Sequence, residues 1–205
     1  MATATTAQEY ADKYLAAFET NSLTQGSWHT ERDGRQLACA LGVIGDEIDL
    51  PSKCPAQIMP RWLAQMVPAF FDRQTAADAF AWGRDFTAEL ARIDGKVPFS
   101  VVHDWHANTV CPLGIEVAEK RGRDVGPHKA LQALHLRALS GEKISADEWR
   151  PVLKNADADA YADADADAYA DSHAYADAYT YANAYDYAWK RLADGMVAAL
   201  KRVEA

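Results

Sequence analysis

The chain has few cysteines, no long apolar run and no lysine or arginine between positions 155 and 188. Its cysteines, Cys39, Cys54 and Cys111, are odd in number and form no CxxC pair. The first residues, MATATTAQEYADKY, lack the basic region and apolar stretch of a signal peptide. No apolar run approaches the roughly 20 residues that span a bilayer. These absences predict a reduced, cytosolic protein with no membrane partner.

The sequence also lacks the short motifs that identify the common enzyme classes. It contains no GxGxxG, P-loop, GxSxG, HExxH or kinase signature. It has no basic patch interleaved with aromatic residues, so direct binding of nucleic acid is not expected. These absences favour a non-enzymatic protein without a cofactor, although an enzyme built on Cys and His residues stays open.

Residues 155–188 form a low-complexity tract in which every odd position is Asn, Asp, Tyr or His, and fourteen of the seventeen even positions are Ala. The four odd-position residues are the set encoded by NAY triplets, which indicates a drifted GCN-NAY repeat grown by replication slippage. The tract holds eight of the thirty acidic residues. Without them 22 acids face 21 bases, so the remaining chain is nearly neutral and the net charge of −9 is local to the tract.

The fold class predicted from these patterns is mainly α. Capping boxes at Thr6-x-x-Glu9 and Ser145-x-x-Glu148 predict the starts of a first and a last long helix, and apolar spacing predicts helices from Gln57, over 75–93 and over 127–139. Segments 22–56 and 94–126 are expected to be long and irregular. Within them, Leu37–Ile44 favours a short helix, and a strand-like run at 97–102 leaves room for a small sheet.

The predicted division is a globular helical body over 1–150 and a C-terminal segment over 151–205. The high Ala content of the tract favours a long Ala/Asp/Tyr-rich helix, with disorder or an Ala-faced strand as alternatives. After the tract, Trp189, Leu192, Met196, Leu200 and Val203 share one helical face. This amphipathic tail is expected to dock on the body.

The densest polar cluster lies in the sequence WHTERDGR, residues 28–35. Arg32 and Arg35 offer planar guanidinium forks for a phosphate, and Trp28 offers a stacking face, with His29 and Asp33 beside them. These residues predict a site for a small anionic, nucleotide-like ligand. The alternative is a solvated loop in which Trp28 packs and the charges pair with one another.

Two further groups offer weaker chemistry. Cys39, with His29 or His103 as base, could be a nucleophile, but its apolar neighbours are typical of a buried, inert thiol. His103 and His106 are three residues apart and could bind a metal ion together with Cys111. HxxH is common by chance, so the same histidines could equally be structural.

The sequence DGRQLACALG, residues 33–42, resembles a G-R-x-x-A-C-A-x-G element of small uncharacterised proteins of bacteriophages and prophages. The sequences MPRWLA (59–64) and SGEKISADEWR (140–150), the latter leading into an Ala-rich tract, are similar to later elements of those proteins. The resemblance implies an accessory gene of a mobile element. Such genes commonly encode inhibitors of host defence that bind a host protein or sequester a nucleotide signal.

Together these observations predict a phage-type accessory binding protein, acting in counter-defence by sequestering a small anionic ligand, and possible self-association into a homo-oligomer. A second hypothesis is an acidic inhibitor or nucleic-acid mimic that presents the Asp/Tyr tract to a basic host protein. A third is a Cys/His-based or metal-dependent enzyme, and a fourth is a helical spacer in which the tract sets a distance.

Overall fold

The computed structural model describes residues 3–161 and 185–205, and within those ranges the fold is mainly helical with one small sheet. This confirms the predicted fold class. A π-helical segment, His106–Val110, joins α4 to α5, and 3₁₀ helices occur at Gly42–Ile44 and Pro51–Lys53. The elements, in chain order, are α1 (Ala7–Glu19), β1 (His29–Arg32), β2 (Arg35–Ala38), α2 (Arg61–Asp72), α3 (Ala76–Arg92), α4 (Ser100–Trp105), α5 (Cys111–Lys120), α6 (Gly126–Leu139), α7 (Ala146–Tyr161) and α8 (Tyr185–Lys201).

The chain divides into two compact units, Met1–Pro98 with Met196–Ala205 and Phe99–Gly195. Neither boundary lies at residue 150. Most of the tract lies outside the described residues, so the helix predicted over 155–188 and the division at 150 stay predictions. None of the described helices is long and apolar enough to cross a membrane.

The first unit is built on the contact of α1 with α3. Thr6 and Glu9 form the predicted capping box, with Glu9 N donating to Thr6 Oγ1 at 3.1 Å and the Glu9 carboxylate accepting from Thr6 N. Tyr10 and Tyr14 on α1 are fully buried, and Gly83 on α3 leaves room for the ring of Tyr14. The C-terminal residues belong to this unit, where Arg92 donates to the carbonyl oxygens of Leu200 and Val203.

The second unit contains a helical run from Ser100 to Lys120 that packs against α6. Trp105, at the end of α4, is buried and donates from Nε1 to Leu192 O at 2.8 Å. The second predicted capping box is also present, since Ser145 Oγ accepts from Glu148 N at 3.3 Å and the Glu148 carboxylate accepts from Ser145 N. α7 therefore begins where the sequence placed it.

Three local predictions are wrong. The run at 97–102 is not a strand, since α4 begins at Ser100 and the two described strands lie between residues 29 and 38. Segment 94–126 is mostly helical and not irregular. The π-helical segment adds one residue to a turn and shifts the apolar pattern out of its 3.6-residue phase, so the pattern does not reveal these helices. The run from Leu37 to Ile44 is no single helix: it ends β2 and then forms a 3₁₀ helix. The missed signal was Asp33-Gly34, since Asp-Gly between two short runs favours a hairpin.

Candidate functional site

The segment with the predicted ligand-binding residues forms a β-hairpin. β1 and β2 are antiparallel and are joined by Asp33 and Gly34, which have positive φ angles of 53° and 72°. Two successive residues with positive φ form a type I′ turn, whose twist matches that of the flanking strands. Asp33 therefore serves as a turn residue, and its position determines which side chains of the hairpin lie opposite each other.

The register places Arg32 directly opposite Arg35. Both side chains are exposed, and neither forms a hydrogen bond or ion pair with a described residue. Glu31, the nearest strand carboxylate, instead accepts a hydrogen bond from Gln36 at 2.9 Å on the opposite face of the hairpin. Like charges that are directly opposite on a hairpin are destabilising. The pair is therefore a local concentration of positive charge that no described carboxylate pairs with.

Trp28 lies on the same face of the hairpin as the two arginines. Cys39 N donates to Trp28 O at 3.0 Å, which extends the strand pairing by one residue, and alternation then places residues 28, 30 and 32 on one face. Trp28 is half-buried and lines a small cavity of about 110 Å³ together with Pro68 and Phe71. Between Trp28 and Arg32 the strand covers roughly 13 Å, at about 3.3 Å per residue.

His29 lies on the other face and is separated from the arginine pair. Its Nε2 atom is 3.2 Å from Ile48 O, and its ring lines a larger cavity of about 660 Å³ with a mainly apolar wall that includes Leu37, Ala38 and Val43. The structure thus places Trp28, Arg32 and Arg35 on one face of the hairpin and His29 on the other.

Cys39 is not arranged as a nucleophile. Its sulfur accepts a hydrogen bond from Gly42 N at 3.4 Å, and burial raises the pKa of the thiol above its ordinary value. Burial also raises the pKa of Cys54, to about 12. A thiol must lose its proton to act as a nucleophile, so neither cysteine is primed for catalysis.

The structure places His103 and His106 beside a third histidine, His135 of α6. His103 Nδ1 lies 3.0 Å from His135 Nδ1, and the rings of His106 and His135 stack at 4.4 Å with an angle of 20°. Cys111 lies instead in an apolar cluster with Leu131. His135 was missed by sequence reasoning, because no pattern links it to residues about 30 positions away.

The stacked rings of His106 and His135 do not suit a shared metal ion. An ion bound by His106 and His135 would have to lie in both ring planes, which are nearly parallel and stacked. Consistent with this, the described part of the chain contains no group of three or more His, Cys, Asp or Glu side chains arranged to hold a metal.

Comparison with protein-family models, curated proteins and solved structures finds no match to this chain. The site therefore has to be interpreted from its own geometry and charge.

Proposed function

We propose that this protein is a non-enzymatic binding protein that sequesters a small anionic, nucleotide-like ligand on the face of the hairpin that carries Trp28, Arg32 and Arg35. The observation that carries the proposal is the placement of two exposed guanidinium groups on residues directly opposite each other, without an acidic partner in the described part of the chain. A phosphate between them would remove their mutual repulsion and accept hydrogen bonds from both.

The same face offers a surface for the uncharged part of such a ligand. The half-buried indole of Trp28 is on this face, and aromatic rings stack on nucleobases at about 1–3 kcal/mol per base. The distance of roughly 13 Å along the strand is comparable to the length of a nucleotide with more than one phosphate. The role in counter-defence rests on the resemblance to phage and prophage proteins alone.

The first experiment is native mass spectrometry of the protein purified from cells with active nucleotide-signalling defences. We expect an adduct of a few hundred daltons, whose mass identifies the ligand. A ligand-free mass from several such hosts, with no binding to a panel of nucleoside polyphosphates and cyclic dinucleotides, would contradict the proposal.

The second experiment is charge reversal at the arginine pair. Arg35→Glu should weaken binding of the identified ligand at least about tenfold, because a hydrogen bond to a charged group contributes about 1.5–3 kcal/mol. Arg61→Glu makes the same charge change at an exposed position at the start of α2 and is the matched control. Unchanged affinity in a folded Arg35→Glu variant would rule out this site.

A further inference from the structure

The second unit contains a cluster of three imidazole rings from three different segments of its chain. His103 is on α4, His106 begins the π-helical segment, and His135 is on α6. His135 contacts both of the others, with a 3.0 Å Nδ1–Nδ1 separation to His103 and a 4.4 Å stack on His106. The cluster therefore joins the helical run of residues 100–120 to α6.

Aromatic side chains surround these rings. Trp149 of α7 stacks on His103, with centroids 5.9 Å apart, and meets His135 edge-on at 4.9 Å. Phe99 packs edge-on against His103, and Trp105 packs edge-on against His106. Trp149 lies in the first turn of α7, so the start of that helix packs against the histidine cluster.

The π-helical segment that His106 begins contains a buried polar atom with no hydrogen-bond partner in the described ranges. Gln132 of α6 donates to Ala107 O at 2.7 Å and satisfies a carbonyl group of the segment. Nδ1 of His106 is buried and has no hydrogen-bond partner among the described residues. If this ring takes up a proton, no hydrogen bond from Nδ1 to a described residue stabilises the buried charge.

Several charged groups on the surrounding helices have a hydrogen-bond or ion-pair partner. Asp104 accepts from Asn108 at 3.0 Å, and Arg137 of α6 bonds Glu142 and Glu148. None of the three histidines forms an ion pair with a described carboxylate. Other paired charges on the adjoining helices are Glu116 with Lys120 and Arg191, and Asp147 with Arg150. Up to position 156 of α7, the remaining ionisable residues of α4 to α7 are Cys111, Glu119, His128, Lys129 and Lys154.

Protonation acts directly on the contact between His103 and His135. With both rings neutral, one Nδ1 donates a hydrogen bond and the other accepts it. One added proton on the pair preserves this bond, but a second makes both Nδ1 atoms donors and places two positive charges face to face. Burial, with the proximity of His103, lowers the pKa of His135 to about 4, and burial also lowers the pKa values of His103 and His106.

We propose that His103, His106 and His135 form a proton-operated latch that holds the first turn of α7 against α4 and α6 when the rings are neutral and releases Trp149 when they are charged. At neutral pH the cluster keeps its hydrogen bond and its stacked rings. Acidification breaks the Nδ1–Nδ1 bond and weakens the aromatic contacts together, so the response is confined to the second unit.

The test is amide hydrogen exchange of the full chain at pH 7 and pH 5, corrected for the intrinsic rate at each pH. In the wild-type protein we expect protection of peptides from 99–110 and 126–154 to fall about twentyfold. His135 takes up a proton at its ordinary pKa of about 6.5 once it is released and only at about 4 in the closed cluster, so acid favours the released state. Peptides from the first unit report any general effect of acid and should change much less.

Two variants separate the latch from other acid effects. His135→Phe keeps a ring for Trp149 and His106 but cannot take up a proton, and His103→Gln removes one partner at a half-buried position. Each should reduce the fall in protection to a few-fold, and His29→Gln in the first unit should leave it unchanged. Retention of the full fall in either folded variant, or an equal fall across the first unit, would overturn the proposal.

Discussion

Gly83 lies where α3 meets α1, and the space that a side chain would need is occupied by Tyr14. A Cβ atom on Gly83 would come within 2.8 Å of Tyr14 Cε2 and would overlap Cζ and Oη more severely. Tyr14 is fully buried and donates from its hydroxyl group to Phe80 O at 3.2 Å. The ring therefore cannot move aside without losing that bond.

Gly83→Ala should reduce the free energy of unfolding by about 2 kcal/mol. Overpacking of a dense core typically costs about 1–3 kcal/mol, and loss of the bond between Tyr14 and Phe80 adds about 1 kcal/mol. Against this, Ala is favoured over Gly inside a helix by about 1 kcal/mol. The steric term and the lost bond exceed the gain in helix propensity.

Urea unfolding, followed by far-UV circular dichroism, measures this change as a lower midpoint at an unchanged slope. Ala88→Gly is the matched control, since it makes the reverse exchange at an exposed position of the same helix and should cost about 1 kcal/mol through propensity alone. Tyr14→Leu in the same chain should recover part of the Gly83→Ala loss. If Gly83→Ala instead stabilises the protein by about 1 kcal/mol, the close approach of the two helices is refuted.

Two further predictions concern the hairpin and the histidine cluster. Gly34→Ala should destabilise the hairpin by about 1 kcal/mol through backbone strain alone, because Gly34 has a φ of 72° and an added Cβ atom would contact no neighbour. Amide exchange of residues 29–38 measures this loss of stability. Acid should destabilise the protein through His135, whose pKa is about 4 when folded and about 6.5 when unfolded. The unfolded chain takes up the proton first as pH falls, so about 3 kcal/mol is present above pH 6.5 and is lost between there and about pH 4. Urea unfolding at a series of pH values measures this loss.

Both predictions have a control. For Gly34→Ala, exchange rates outside the hairpin should be unchanged, and an unaffected hairpin would mean that the turn is not type I′. For acid, the wild-type curve is compared with that of His135→Phe, and the difference isolates this imidazole from the carboxylates. If the free energies of unfolding of the two proteins change in parallel with pH, folding does not lower the pKa of His135.

Features that depend on neighbouring residues in the chain were predictable. The capping boxes at Thr6 and Ser145 begin α1 and α7 as expected, because a cap is formed by residues three positions apart. Helix α3 begins one residue after Thr75, which caps it. The apolar face of the C-terminal helix also follows from spacing, and Trp189, Leu192, Met196 and Leu200 are buried as predicted.

The hairpin was within reach of sequence reasoning but was not predicted. Asp33-Gly34 is a strong local signal for a type I′ turn, yet the strands on either side are only four residues long and largely polar. Recognising the turn also fixes the register, and therefore the pairing of Arg32 with Arg35. The residues of the candidate site lie in one segment of the sequence, while their division between two faces required the strand pairing.

The sequence by itself determined the helical class, the starts of α1, α3, α6 and α7, and the local concentration of acidic residues in the tract. Only the tertiary structure revealed the π-helical segment and the contact of His135 with His103 and His106. The reason is physical: caps, turns and amphipathic faces arise from interactions within one or two turns of chain. The histidine cluster depends on the packing of α6 and α7 against a helical run whose phase is shifted by one residue, and no local pattern encodes that arrangement.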